Sequence, residues 1–194
     1  MDHTLERSVE QSARLAATRL YGKHRGTVTD VADPENKCRI MATVPGVMGP
    51  QGEVVGWAEP AFPFAGAGRG QVMLPEVGDM VWIEFEAGNI DFPIWTGCFF
   101  LSGQRPTPDS NGARVIVSKS GHQLVLDDDA DKVVLAHAMG ATLEMTATEI
   151  TLSIGACKMV MSLTAISFNE GVVKIGPAGV SLAQGAMTLG VPPV

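Results

Sequence analysis

The chain has 194 residues, 45% of them hydrophobic, and a formal charge of −7, which suits one or two small globular domains and is the wrong sign for a protein that tracks a phosphate backbone. Twenty-two glycines and twelve prolines with few aromatics point to short strands and many turns and away from a helical bundle. Cys38, Cys98 and Cys157 are odd in number and show no CxxC spacing, the first residues lack the basic and apolar regions of a Sec signal, and no run of about 18 apolar residues occurs, so disulfide framework, zinc ribbon, export signal and membrane span are all unsupported.

Residues 4–20 predict the one helix. Leu5, Val9, Ala13, Ala16 and Leu20 recur at three- and four-residue steps, Thr4 stands as N-cap and Gly22 ends the element. The apolar stripe is thin, so the helix should pack on a partner or on the domain that follows.

From Lys23 the texture becomes that of strands. His24–Val31 and Cys38–Val44 flank Asp33-Pro34-Glu35-Asn36, a turn in which Pro fixes φ and the Asp and Asn side chains bond to nearby backbone. Strands over Glu53–Glu59, Met80–Glu86 and Pro93–Phe100 follow, separated by a Gly-, Ala- and Pro-rich loop from Pro60 to Gly70 and by turns at 74–79 and Gly88-Asn89. Five short strands in this space fit a small closed barrel of the OB type. Residues 102–112 read as a linker. The expected organisation is therefore a helix over 1–20, a barrel over 21–105 and a third segment over 106–194.

In the third segment a strict period emerges. Leu152, Met159, Ile166, Val173, Val180 and Met187 are each seven apart, and so are Ile154, Met161, Phe168, Ile175, Leu182 and Leu189. A coiled coil also repeats every seven residues, but it needs apolar positions three and four apart. Here they are two apart, the strand period, and Gly155, Gly171, Gly176, Gly179, Gly185 and Gly190 would each cost a helix about 1 kcal/mol. Each unit reads as a short strand with these twelve side chains inward, the residue between them outward, and small residues turning the chain. One unit cannot bury its apolar side alone, so stacked units are required. A uniform seven suits three chains wound about one axis, with these twelve residues as the core of the needle.

No residues assemble into chemistry. His3, His24, His122 and His137 are scattered, and Asp127-Asp128-Asp129 with Asp131 lacks the Gly and Glu of an EF-hand loop. No GxSxG, Walker loop or HExxH occurs, and Gly66-Ala67-Gly68-Arg69-Gly70 is not followed by a helix. The expectation is a non-enzyme with no cofactor and no metal. Trp57, Trp82, Phe85, Trp95, Phe99 and Phe100 could form a stacking platform on an OB barrel. Against this, residues 1–105 hold nine Lys/Arg and thirteen Asp/Glu, a net of −4, and the alternation of the rings suggests that several fill the barrel.

Tyr21-Gly22-Lys23-His24-Arg25-Gly26-Thr27-Val28, Trp57-Ala58-Glu59-Pro60, the run Leu74-Pro75-Glu76-Val77-Gly78-Asp79 through Phe85-Glu86-Ala87-Gly88-Asn89, and Pro93-Ile94-Trp95-Thr96-Gly97 resemble the barrel of phage baseplate assembly protein V, the T4-type tail spike and VgrG. Ser120 to Asp128 resembles the point where that family begins its triple-stranded β-helix. The resemblance implies an all-β chain, an OB-fold barrel followed by a trimeric intertwined β-helix, that acts as a structural central spike. It implies assembly in the cytoplasm into a phage-tail-like particle, as a virion or extracellular particle component. It further implies a homotrimer, a baseplate hub protein on the barrel side and transient contact with a target membrane, while the acidic charge argues against a nucleic acid partner. The apolar end, with Leu189, Val191, Pro192, Pro193 and Val194, suggests a bare surface that takes a PAAR-like tip protein. The lysozyme domain of the T4 spike, the large hub domain of VgrG and an HxH metal-binding tip are all missing, so no catalytic or metal residue carries over. The rival reading is an OB-fold binding module for nucleic acid or glycan with a stabilising β-solenoid tail.

Overall fold

A computed structural model of the chain describes residues 7–10, 19–49, 52, 56–108, 110–183 and 187–190, with only the backbone described for 188–190. It divides into two compact units, residues 1–104 and 105–194.

In the first unit residues 7–10 are helical and exposed, with Val9 67% accessible. The expected helix does not run to Leu20: Arg19 and Leu20 are not helical. Instead the Leu20 N–H donates to the Gly88 carbonyl at 2.9 Å, Arg19 donates to the Ala87 carbonyl, and Leu20 packs on the barrel core. Tertiary contact with the 86–88 turn has overridden local helix periodicity here. The rest of residues 4–18 lies outside the described residues.

The barrel strands are β1 (His24–Asp30), β2 (Met41–Thr43), β3 (Glu59–Pro60), β6 (Met80–Phe85) and β7 (Pro93–Cys98), with a small hairpin of β4 (Ala65–Gly66) and β5 (Arg69–Gly70) between them. Antiparallel pairing joins β2 to β1, β1 to β6 and β6 to β7, while β3 runs parallel to β7. An antiparallel bridge between Ile40 and Ala58 brings β2 back to β3. The ring β1-β2-β3-β7-β6 thus closes on itself, the five-stranded arrangement of an OB barrel. Alternation explains the core: Val81, Ile83 and Phe85 on β6, Val28 on β1 and Trp95 on β7 point inward, with Ile40, Ala42, Val44 and Ala58 completing the interior. Gly26 on β1 sits in a tight place, since a Cβ there would lie 3.1 Å from the Thr43 carbonyl oxygen and 3.2 Å from Ile83 Cγ1 and would require these neighbours to shift.

Two strands are shorter than the sequence pattern suggests. The second forms its first bridge only at Ile40, because Asp33 organises the preceding loop. The Asp33 carboxylate accepts from the backbone N–H groups of Glu35, Lys37 and Arg39 and from the Arg39 guanidinium, at 2.6 Å in the shortest bond. Cys38 is held at φ 64, outside strand conformations. The third strand reduces to Glu59–Pro60 plus the Ala58 bridge, with residues 53–55 outside the described set. The structure adds elements that the pattern missed, among them the β4–β5 hairpin within the expected 60–70 loop and a single helical turn α1 (Pro45–Met48) that begins on proline.

The second unit is one ten-stranded sheet, β8 (Ala113–Val117), β9 (Gln123–Asp127), β10 (Lys132–Ala136), β11 (Thr142–Thr146), β12 (Glu149–Ile154), β13 (Cys157–Ser162), β14 (Ile166–Phe168), β15 (Val173–Gly176), β16 (Gly179–Leu182) and β17 (Met187–Gly190). Each strand pairs antiparallel with the next. Within one chain, therefore, consecutive units fold back on one another where a solenoid would wind onward in one sense. The seven-residue step permits this: Ile166 faces Ile175 and Phe168 faces Val173, then Val173 faces Leu182 and Ile175 faces Val180. Reversing direction every seven residues keeps both apolar positions of each unit on one face. The β-rich class and two-part order expected from the sequence hold.

Candidate functional site

The feature on which function turns is the face that these apolar positions share. Antiparallel register stacks them in two columns. Ile150, Met161, Ile166, Ile175 and Val180 form one, and Leu152, Met159, Phe168, Val173, Leu182 and Met187 form the other; the backbone register sets Leu189 opposite Val180. Eleven of the twelve residues singled out by the period fall on these columns. Ile154 does not, because Gly155-Ala156 makes a turn of only two residues and pairs Ile154 with Cys157 at the sheet margin, where Ile154 is 71% exposed.

Both columns continue where the period is absent. Met145, Val133 and Leu126 extend the first toward Arg114; Leu143, Leu135, Leu124 and Ile116 extend the second. A seven-residue search misses most of them because two of the reversals there are longer, eight positions from Ile116 to Leu124 and from Leu135 to Leu143 against five from Ile175 to Val180. Alternation within each strand is the signal that finds them.

This face is bare in a single chain. Leu152 is 46% exposed and Ile175 45%, while Leu135, Met145, Met161 and Phe168 are also open to solvent. A trough of about 650 Å³ runs along it between Leu135, Leu143, Leu152, Met159 and Phe168. A soluble protein rarely leaves an apolar surface this long uncovered. Backbone hydrogen bonding is not what the chain lacks, since every internal strand is paired on both sides. The missing component is a cover for the face. The opposite face is polar in its later strands, with Ser153, Ser167, Lys174 and Ser181 alternating against the columns and Thr142 and Ser153 sharing a 2.6 Å hydrogen bond. In the first three strands Val115, Val125 and Val134 occupy that second face, and Val125 is only 5% exposed.

The other candidates resolve as follows. Phe85 and Trp95 belong to the barrel core, and Trp95 Nε1 donates to the Cys38 carbonyl at 3.1 Å. Trp82 and Phe99 lie outside, with the Arg25 guanidinium 5.3 and 5.0 Å from their ring centres. Trp57 carries Arg39 at 5.9 Å, and Phe100 is exposed. The six rings therefore split between interior and surface and form no single platform. His122 and His137, fifteen residues apart, come together with ring centres 4.4 Å apart. Among the described residues no three His, Cys, Asp or Glu side chains are grouped to hold a metal ion, and no helix is long and apolar enough to cross a membrane. The tip positions Val191, Pro192, Pro193 and Val194 lie outside the described residues, as does the side chain of Leu189.

The marked electrostatic shifts belong to the barrel's 33–39 loop. The Arg39 guanidinium holds the Asp33 carboxyl well below the ordinary carboxylate range, helped by three backbone N–H donors. The same pair raises Arg39, and Lys37 and Glu35 stabilise each other's charged forms. Burial, with Asp79 nearby, pushes the Cys98 thiol up, away from the reactive thiolate. These are arrangements that hold a loop in place.

An OB barrel followed by a long sheet with an uncovered apolar face defines a structural protein built to assemble. The comparison with known families agrees on both parts. Residues 24–100 match the type VI secretion system/phage-baseplate injector OB domain, and residues 113–188 match the phage baseplate V C-terminal trimerisation domain. A search of curated proteins gave no match. The two matched regions together span most of the chain, which belongs with the baseplate V-type structural proteins of phage-tail-like particles; these are not enzymes. The trimerisation domain supports a homotrimer.

Proposed function

We propose that this protein is the central spike of a contractile phage-tail-like particle, docked beneath the tube as a homotrimer and driven against a target envelope when the sheath contracts. The observation that carries this reading is the unbroken apolar face of ten strands. Three such faces turned toward a common axis give a dry core, and each sheet, already fully laddered, becomes one wall. A wall of this kind resists shear because sliding it requires many main-chain hydrogen bonds to break together. The needle core is then Leu152, Ile154, Met159, Met161, Ile166, Phe168, Val173, Ile175, Val180, Leu182, Met187 and Leu189, with Ile154 nearest a corner. The barrel side engages the baseplate hub, and the C-terminal end, through Leu189, Val191, Pro192, Pro193 and Val194, carries a PAAR-like tip protein. Cryo-microscopy of the native particle tests the assignment. The expected result is a threefold density for this chain on the particle axis with a further small protein at its tip. Finding the chain off the axis overturns the spike reading, and a tip closed by the chain's own ends overturns the capping partner.

A further inference from the structure

The two margins of the long sheet differ in chemistry at one level, the hairpin formed by β9 and β10. His122 immediately precedes β9 and His137 immediately follows β10, so both stand at the hairpin's open end, their rings 4.4 Å apart and exposed. The Nδ1 of His122 accepts the Ala138 N–H at 3.2 Å, and the Nδ1 of His137 accepts the Met139 N–H at 3.1 Å. With Nδ1 used as acceptor, each ring carries its proton on Nε2 and presents that N–H as a donor. At the opposite end of the same hairpin, Asp128, Asp129 and Asp131 are exposed and form no salt bridge among the described residues. His122 and Asp128 are six residues apart along an extended strand, about 20 Å at ~3.4 Å per residue. The two groups cannot reach each other within a chain.

Threefold symmetry supplies the missing partner. A cyclic trimer has no twofold axis, so every contact between copies is heterologous and joins one margin of a sheet to the other margin of the next. We infer that the histidine end of the β9–β10 hairpin in one copy docks against the Asp128–Asp131 turn of the next copy, fixing the order in which the three sheets close. The inference rests on the homotrimer proposed above. The Nε2–H donors meet carboxylate acceptors that form no salt bridge among the described residues, and the match repeats at all three corners. It complements the apolar columns, which supply cohesion but little sense of direction.

Engineered disulfides test it in the full chain, with Cys38, Cys98 and Cys157 replaced by serine. The pair Asp129→Cys with His137→Cys should give a covalent trimer on a non-reducing denaturing gel after mild oxidation, and either substitution alone should give monomer. In-chain closure is ruled out by distance, because bridged Cα atoms lie within about 7 Å. A trimer by light scattering that shows no such cross-link, or that cross-links as well with one cysteine as with two, overturns the proposed corner. A monomer by light scattering overturns the trimer itself and the corner with it. A second comparison is independent of cysteine chemistry. Asp129→Lys with Asp131→Lys, and His122→Glu with His137→Glu, should each lower the urea midpoint of trimer dissociation, and combining all four should recover most of the loss. A combined loss equal to or greater than the sum of the two counts against the contact.

Discussion

The clearest residue-scale contrast lies between neighbours in β14. Ile166 faces the apolar columns and Ser167 faces away, although both sit in the same three-residue strand. Ile166→Asp or Ile175→Asp would place three like charges about one axis in a trimer, and an unpaired buried carboxylate costs several kcal/mol. Ser167→Asp adds a charge beside Lys174, its cross-strand partner, and should leave the melting temperature nearly unchanged. Thermal melts of the three variants check the facing; equal damage from Ser167→Asp and Ile166→Asp would contradict it. Asp33 offers a second test at this scale. Its folded pKa is depressed, so its stabilising contribution is complete above the ordinary value of 3.8 and is lost as pH falls through the lower folded value. Asp33→Asn should therefore lower the barrel's melting temperature most at neutral pH. The gap from wild type should narrow as the solution is acidified below 3.8, and a constant gap would mean that the carboxylate's charge is not what holds the loop.

Among the elements, β7 shows how one strand joins the barrel's interior to its loops. Trp95 is 4% exposed, packs edge-on against Phe62 with ring centres 5.4 Å apart, and uses its indole N–H to satisfy the Cys38 carbonyl. Trp95→Phe keeps an aromatic ring but orphans that carbonyl, so it should cost about 1–3 kcal/mol. Urea unfolding of residues 1–105 or of the whole chain measures it, and a loss below a few tenths of a kcal/mol would show that water replaces the indole. In the long sheet the informative elements are the turns. Seven-residue spacing occurs where each reversal between facing column residues takes the same five positions, as from Met161 to Ile166, Phe168 to Val173, Ile175 to Val180 and Leu182 to Met187. Longer turns at 118–122 and 137–141 carry the same two columns without the period. The periodicity is thus a property of turn length, while the continuous face is a property of alternation.

Across the whole molecule, the two units divide the work of folding and assembly. The barrel buries its own core and needs no partner to do so. The sheet has few buried residues despite its apolar content, Ala113 and Val125 being the buried hydrophobics among the described residues of the second unit, and its open apolar face calls for association. A protein ending near Arg105 should accordingly be monomeric and folded, and the full chain trimeric. Size-exclusion chromatography with light scattering on both decides this. A monomeric full chain would remove the spike reading and return attention to the barrel as a binding module; a trimer that survives truncation would move the determinant into residues 1–105.

Much of this was legible from residue order. Alternation gave strands over Met80–Glu86 and Pro93–Phe100 with several of their rings inside a barrel, and the repeat picked out twelve apolar positions, eleven of which the register stacks in two columns, because a strand's two-residue period is a local property that does not depend on its neighbours. Tertiary structure decided the rest. Strand direction in the long sheet followed from turns such as Gly155-Ala156, where Gly155 adopts φ 56 and reverses the chain, and a repeat read as a string does not distinguish reversal from winding. The end of the first helix was set by the 86–88 turn holding Arg19 and Leu20, a contact about 68 residues away in sequence. The meeting of His122 with His137, and the separation of both from Asp128, required the β9–β10 pairing. Spacing along a chain does not report which ends of a hairpin coincide; hydrogen-bond register does.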